Sequence, residues 1–251
     1  MVKQYQDIKS QHMDAILFFR LGDFYEMFND DAQTASRELE ITLTGRGEGQ
    51  NRMPMCGIPY HAATGYISKL INKGYKVAVC EQVEGPATAK SIVKREVIRV
   101  FTPGTVQDDA MLDSKASNYL LAISSLKGHL GLAFIEASTG EFKLTTFPLE
   151  KGLNAIIDEI NRIKPAEILI PDLPSDDLKQ LIGSISTSGY SITVFKDTYD
   201  LDIAGKKIKD HFGLSSLDSF GLSGFEAGFG AAVAILDYLS NTQKEIGRAH
   251  V

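Results

Sequence analysis

The chain has 251 residues, of which 43% are hydrophobic and 23% charged, with a formal net charge of -6. That is ordinary globular material, long enough for two separate cores, and no apolar run approaches the ~18 residues of a membrane span. No N-terminal signal peptide is visible, and Cys56 and Cys80, both in apolar strand-like settings, suit a reducing cytoplasm better than a disulfide framework. His12, His61, His129, His211 and His250 are scattered, none at metal-ligand spacing from a cysteine, so no metal is expected. The negative charge argues at first against nucleic acid, but it is unevenly spread. Residues 1–104 carry 13 Lys and Arg against 12 Asp and Glu, a net of +1, whereas residues 105–251 carry 13 against 20, a net of -7. The first part is the one that tolerates DNA, without the basic excess of a tight autonomous binder.

Residues 2–11 read as a helix with Tyr5 and Ile8 as its apolar positions. Strands follow near 15–20 and 23–28, joined by Leu21-Gly22-Asp23, which is turn chemistry. On the second strand Phe24, Glu26 and Phe28 share one face, and Tyr25 and Met27 the other. Asn29 suits the N-cap of a helix to about Leu39. Glu40–Thr44 is strand-like, Gly45–Arg52 a flexible loop, and Met53–Ile58 a strand. His61–Asn72 has helical spacing stopped by Gly74, and 77–83 and 96–101 read as strands. The first part is therefore a mixed β-sheet with flanking helices.

Pro103-Gly104 punctuates the chain, and the polar, acidic stretch after it places a linker at 105–116. Beyond it come three strands, 119–125, 130–137 and 142–147, with Lys127-Gly128 and Thr139-Gly140 as hairpin turns. A helix (149–163), a strand (166–170), a helix (175–185), a strand (191–195) and two more helices complete the pattern. In the last helix, near 225–239, Ala227, Ala231, Ala232 and Ala234 predict close packing against a neighbour. A meander feeding alternating helix and strand resembles a ribonuclease H-like α/β layout.

Gly22-Asp23-Phe24-Tyr25-Glu26 invites two readings. Phe24 and Phe28 are core and the acids solvated, or Phe24 is an apolar wedge beside a hydrogen-bonding group, a way of probing base stacking. The block also resembles the mismatch-reading motif of the MutS family of DNA mismatch repair proteins. Thr42-Leu43-Thr44, Met53 to His61, Val79-Cys80-Glu81-Gln82, Pro86-Ala87-Thr88 and Arg99 to Thr105 follow in that family's order and approximate spacing. The resemblance covers nearly all of residues 1–105 and continues more loosely over 117–244.

It implies a mismatch-recognition domain at 1–104 and a ribonuclease H-like connector at 117–244. It places the family's wedge at Phe24 and its base-contacting glutamate at Glu26. An ionised carboxylate is a poor DNA contact; desolvation and phosphate charge would raise its pKa and let a neutral Glu26 donate to a base. Arg46 in its Gly-rich loop, Arg52, and Arg95 in the basic pair Lys94-Arg95 are candidate phosphate contacts. Gly57 to His61 reads as a structural turn. The resemblance also implies mismatched duplex DNA, a MutL-type repair partner at the connector, and a homodimer encircling DNA in the intact protein. ATP and Mg2+ belong to that protein's ATPase, and no Gly-x-x-x-x-Gly-Lys-Ser/Thr occurs here. Glu245–Val251 departs from the family pattern and reads as a non-native tail on an incomplete gene.

Two rivals remain open. A ribonuclease H-like nuclease needs carboxylates converging from strand ends, and the meander offers only Glu136 and Glu141. The acidic second part could instead be a docking module, the chain then binding DNA only weakly and without specificity.

Overall fold

A computed structural model describes residues 1–47, 52–83, 93–107, 111, 118–151, 153–195 and 200–243. The chain divides into two compact units, one mainly of residues 1–103 and the other mainly of 104–241. Among the described residues no helix is long and apolar enough to cross a membrane.

The first unit runs α1 (Val2–Lys9), β1 (Ala15–Leu21), β2 (Phe24–Phe28), α2 (Asn29–Leu39), β3 (Thr44–Arg46) and β4 (Met53–Pro59). A 3-10 turn at Tyr60–Ala62 leads to α3 (Ala63–Asn72), β5 (Lys76–Gln82) and β6 (Arg95–Phe101). The six strands form one sheet in the order β3-β4-β2-β1-β5-β6. β1 and β5 are parallel and every other pair is antiparallel. Alternation along the strands sets two faces. Ile16, Phe18, Tyr25, Met27, Ile58 and Val77 are buried on one, where α2 packs against β4 and α3 against β5. Leu17, Phe19, Phe28, Ala78 and Cys80 cluster on the other with Tyr5 of α1. Lys9 ties α1 to α2 through Asp31 (2.8 Å), which also accepts from the Tyr5 hydroxyl and the Leu17 N–H, each at 3.0 Å.

Several sequence expectations need correction here. α1 stops at Lys9, with Ser10 as its C-cap, rather than at residue 11. Asn29 is no N-cap: Phe28 takes that position, and Asn29 begins the helix at φ 52, a left-handed conformation that Asn tolerates better than most residues. The strand expected at Glu40–Thr44 starts only at Thr44, because the chain first leaves α2 through a left-handed Glu40 (φ 56). Ser36 holds that exit, accepting from the Ile41 N–H at 3.1 Å and donating its hydroxyl to the Ile41 carbonyl at 2.6 Å. Gly45 and Arg46 therefore lie in a strand and not in a loop.

The second unit opens with β7 (Tyr119–Leu126), β8 (His129–Glu136) and β9 (Glu141–Pro148). It continues through α4 (Leu153–Ile163), β10 (Glu167–Pro171), α5 (Asp176–Ser186), β11 (Ser191–Phe195), α6 (Leu201–Phe212) and α7 (Phe229–Thr242). α4 and α7 begin later than the periodicity suggested, because short 3-10 turns at Leu149–Lys151 and Glu226–Gly228 precede them. Lys127 (φ 46) and Gly128 (φ 76) make the first hairpin turn, both with the positive φ of a type I′ turn. The strand order is β11-β10-β7-β8-β9, and β8 alone runs against the rest. That order and direction are the ribonuclease H-like arrangement. One face packs on α4 and α5, the other on α6 and α7, where Ala231, Ala232 and Ala234 are buried as their size predicted.

At the start of this unit the chain is not an open linker: Gly104, Thr105 and Val106 are buried. The Gly104 N–H donates to the fully buried Glu167 carboxylate at 3.1 Å. Thr193 (2.6 Å) and Tyr238 (2.7 Å) donate to its other oxygen, so the buried charge has hydrogen bonds on both sides. The rest of the expected linker, apart from Gln107 and Met111, lies outside the described residues, as do Pro86-Ala87-Thr88 and the tail 245–251.

Candidate nucleic-acid interface

β1 and β2 meet in a tight hairpin, Leu21 opposite Phe24, with Gly22 at φ 58 where such turns demand positive φ. The hairpin tip carries Phe24 at 48% exposure. Phe212 and Phe220 are exposed to a similar degree, and single exposed apolar side chains are ordinary, so the neighbours of Phe24 and not its exposure alone are informative. On its outer side Phe24 pairs with Pro59 of β4, and Glu26 pairs with Gly57. A Cβ built at Gly57 would lie 3.7 Å from Glu26 Cγ and 4.0 Å from Phe24 Cδ1. The missing side chain therefore leaves a shallow notch walled by Phe24 and Glu26. Sequence reasoning treated Gly57 only as part of a turn, since its value depends on the two residues across from it.

Glu26 is partly buried, and its carboxylate meets the Arg46 guanidinium at 3.4 Å across β4. Burial pushes the Glu26 pKa above the usual carboxylate range, while Arg46 pulls it back down. Arg52 is exposed, and its side chain lies across Gly45, where a Cβ would come within 2.4 Å of Nε. Arg46 of β3 thus shares the face of the notch, whereas Arg52, just before β4, lies against Gly45 on the other face of the sheet.

Arg95 does not join them, and its expected phosphate role is corrected. It is 9% exposed; Nε donates to the Arg20 carbonyl at 2.8 Å, and Nη1 to Gln4 Oε1 (3.0 Å) and the Val93 carbonyl (3.1 Å). Its guanidinium also sits 5.1 Å from the Phe19 ring centre, and burial lowers its pKa. It is an internal brace. A basic pair before a strand looks the same whether its side chain turns out or in.

The opposite sheet face holds a group that sequence reasoning missed. Arg20 lies 3.6 Å over the Tyr60 ring and 5.6 Å from that of Tyr25, and pairs with Glu81 at 3.5 Å. Tyr25 donates to Glu81, and burial together with that carboxylate keeps its hydroxyl protonated well above the usual phenol range. The Tyr60 N–H donates to the Asp23 carbonyl at 3.0 Å. These contacts bind the hairpin tip to the 3-10 turn after β4 and to β5, and give Phe24 a stiff base. The only signal in the sequence was the aromatic and charged character of residues far apart along it.

Comparison with known proteins decides the family. Residues 1–110 match the model of MutS domain I, and residues 118–250 match that of MutS domain II. The chain belongs to the MutS family. The DNA mismatch repair protein MutS of Pelotomaculum thermopropionicum is 50% identical over 250 residues, spanning 98% of this chain and 28% of that protein. The MutS of Lachnoclostridium phytofermentans is 49% identical over 252 residues, spanning 97% and 26%. The chain thus corresponds to the N-terminal part, about a quarter, of these MutS relatives. The fowlpox virus Holliday junction resolvase is also similar over 48% of this chain, at 13% identity and a TM-score of 0.36. A likeness that slight says nothing about chemistry.

Within the MutS domain II unit, Glu136 and Glu141 face each other across β8 and β9. Each is engaged: Tyr119 (2.8 Å) and Lys143 (2.5 Å) hold Glu141, and the Asn118 N–H donates to Glu136 at 3.3 Å. A cavity of about 140 Å3 near the carboxyl ends of β7 and β10 is lined by Ser124, Ser125, Ile170 and one carboxylate, Glu226. Glu226 accepts from the Gly224 N–H at 3.0 Å. Among the described residues no three His, Cys, Asp or Glu side chains are grouped to hold a metal ion.

Proposed function

We propose that the first unit reads mismatched or looped-out bases in duplex DNA, with Phe24 as an apolar wedge, and that this reading begins DNA mismatch repair. The observation that carries the proposal is the exposed Phe24 ring beside Glu26 and the empty notch at Gly57, on a face where Leu17, Phe19 and Phe28 are buried and Leu21, Met53 and Met55 partly so. A paired duplex resists unstacking by a few kcal/mol per step, and a mismatch has already lost part of that resistance. An inserted ring therefore selects for weakness in the stack and not for sequence. Glu26, held back from water, takes up a proton in the complex and donates to an acceptor on the distorted base. Arg46 and Arg52 contact phosphates and set register.

The second unit is proposed to serve the intact protein as a connector that contacts a MutL-type partner. Homodimerisation, ATP and Mg2+ are assigned to the parts of MutS that this chain does not match, and the setting to the cytoplasm. ATP does not suit this chain's own residues, which contain no phosphate-cradling P-loop. A nuclease reading finds little support in carboxylates already engaged near a hairpin turn.

The test joins this chain to the remainder of the Pelotomaculum thermopropionicum relative and measures affinity for matched duplex and for duplex with one unpaired base. A preference for the unpaired base that Phe24→Ala removes supports the proposal. Equal preference in both proteins overturns it.

A further inference from the structure

Arg46 and Glu26 sit on one sheet face on either side of β4, Glu26 opposite Gly57 and Arg46 opposite Met53, so the Arg46 side chain reaches Glu26 along β4. Their ion pair is long, at 3.4 Å, and the Arg46 side chain is 49% exposed. Such pairs are weak, because water screens them and two flexible side chains must be held in place. Across β2, β1 places Phe19 beside Glu26, and β4 places Gly57 there. Among the described residues Arg46 is thus the charged group that faces this carboxylate.

We infer that Arg46 changes partner when DNA binds: its guanidinium holds the Glu26 carboxylate in the free chain and a backbone phosphate in the complex, leaving Glu26 to the base beside Phe24. This rests on the mismatch-reading function proposed above. A phosphate offers the fork-shaped guanidinium two oxygens in matched geometry, a better acceptor than one oxygen at 3.4 Å. Once Arg46 leaves, nothing offsets the burial of Glu26, and the neighbouring phosphates disfavour a second negative charge. The carboxylate then takes one proton from solvent and becomes a hydrogen-bond donor. Arg46 is a positioning residue that makes the donor appear only after the backbone has docked. In free solution the same side chain keeps Glu26 ionised and acceptor-only.

The test follows the Glu26 carboxyl carbon by NMR in the 251-residue chain labelled with 13C-glutamate. Glu26→Gln assigns the signal, and amide spectra check the fold of each variant. Titrations run over about pH 4 to 9 at low salt, with and without a saturating short duplex containing one unpaired base. In the free chain Arg46→Gln should raise the Glu26 midpoint, and Arg46→Lys, which keeps the charge, should restore most of the difference. Duplex should raise the wild-type midpoint by roughly one unit, and that of Arg46→Gln by half as much or less. An equal duplex-induced rise in wild type and Arg46→Gln would overturn the partner change while leaving mismatch reading intact. Saturating duplex that perturbs neither the Phe24 ring nor Glu26 would overturn both.

Discussion

Phe24 and Phe28 project from the same face of β2, yet Phe28 is 1% exposed and Phe24 48%. The difference is α1. Tyr5 meets Phe28 edge-on with ring centres 4.9 Å apart, and meets Phe19 at 5.5 Å. An eight-residue helix is about 12 Å long, too short to cover the whole strand, so its cover ends before the hairpin tip. The same side chain is core at one end of the strand and a free ring at the other.

Mutating the two rings should therefore separate stability from recognition. Phe28→Ala should cost about 3–5 kcal/mol in denaturant unfolding, the range for emptying a packed aromatic site. Phe24→Ala should change stability by less than about 0.5 kcal/mol. In the joined full-length protein it should nevertheless reduce mismatch preference by ~1–3 kcal/mol, the scale of one aromatic stacking contact. Equal destabilisation by both substitutions would show that Phe24 is packed in solution.

The proposed uptake of a proton by Glu26 in the complex, beyond the rise that burial already causes in the free chain, gives mismatch binding a direction with pH. Binding that takes up a proton is strongest below the pKa of the free chain, weakens as pH rises from there, and has lost the gain above the higher pKa of the complex. Glu26→Gln keeps a donor without the charge, so it should bind mismatch as well or better, bind matched duplex more tightly, and lose the pH dependence. Glu26→Ala loses the donor too and should bind mismatch less well than Glu26→Gln. Affinities for both duplexes across about pH 6 to 8.5 distinguish these outcomes; identical behaviour of the two variants would leave Glu26 no donor role.

Two arginines should behave oppositely. Arg95→Met should destabilise the first unit by about 2–3 kcal/mol, because the Arg20 and Val93 carbonyls lose a charged donor in a half-buried setting. Where the protein remains folded, the salt dependence of DNA binding should not change. Arg52→Ala should leave stability nearly unchanged and lower the slope of log affinity against log salt by about 0.9, one phosphate contact. The isolated chain should bind duplex weakly throughout, in line with the net +1 of residues 1–104. Submicromolar binding insensitive to salt would contradict this.

Burial pushes the Cys56 thiol up to about 11 and that of Cys80 to about 12. Since the thiolate is the reactive form, neither should be modified by a thiol reagent at pH 7.5 until the first unit unfolds. Mass spectrometry after timed labelling, with and without denaturant, checks this. Rapid labelling of the native chain would mean that β4 or β5 opens.

Much of this molecule was legible in its sequence because the signals are local. The apolar run Ala15–Phe19, the alternating run Ser191–Phe195, a Lys-Gly turn and a stop at Gly74 are determined by neighbours a few residues apart, and so were the order of strands and helices and the face that Phe24 shares with Glu26. What lay beyond local reading was which end of a face is covered and which arginine turns inward. Phe28 is core because Tyr5, 23 residues earlier, reaches it; Arg95 is a brace because the Arg20 carbonyl, 75 residues earlier, accepts from it. Gly57 becomes a notch, and Arg46 a partner for Glu26, only when β2, β3 and β4 lie side by side. The identity of a side chain is written in the chain, but its burial, its partner and hence its charge state come from segments that only folding brings within a few ångströms.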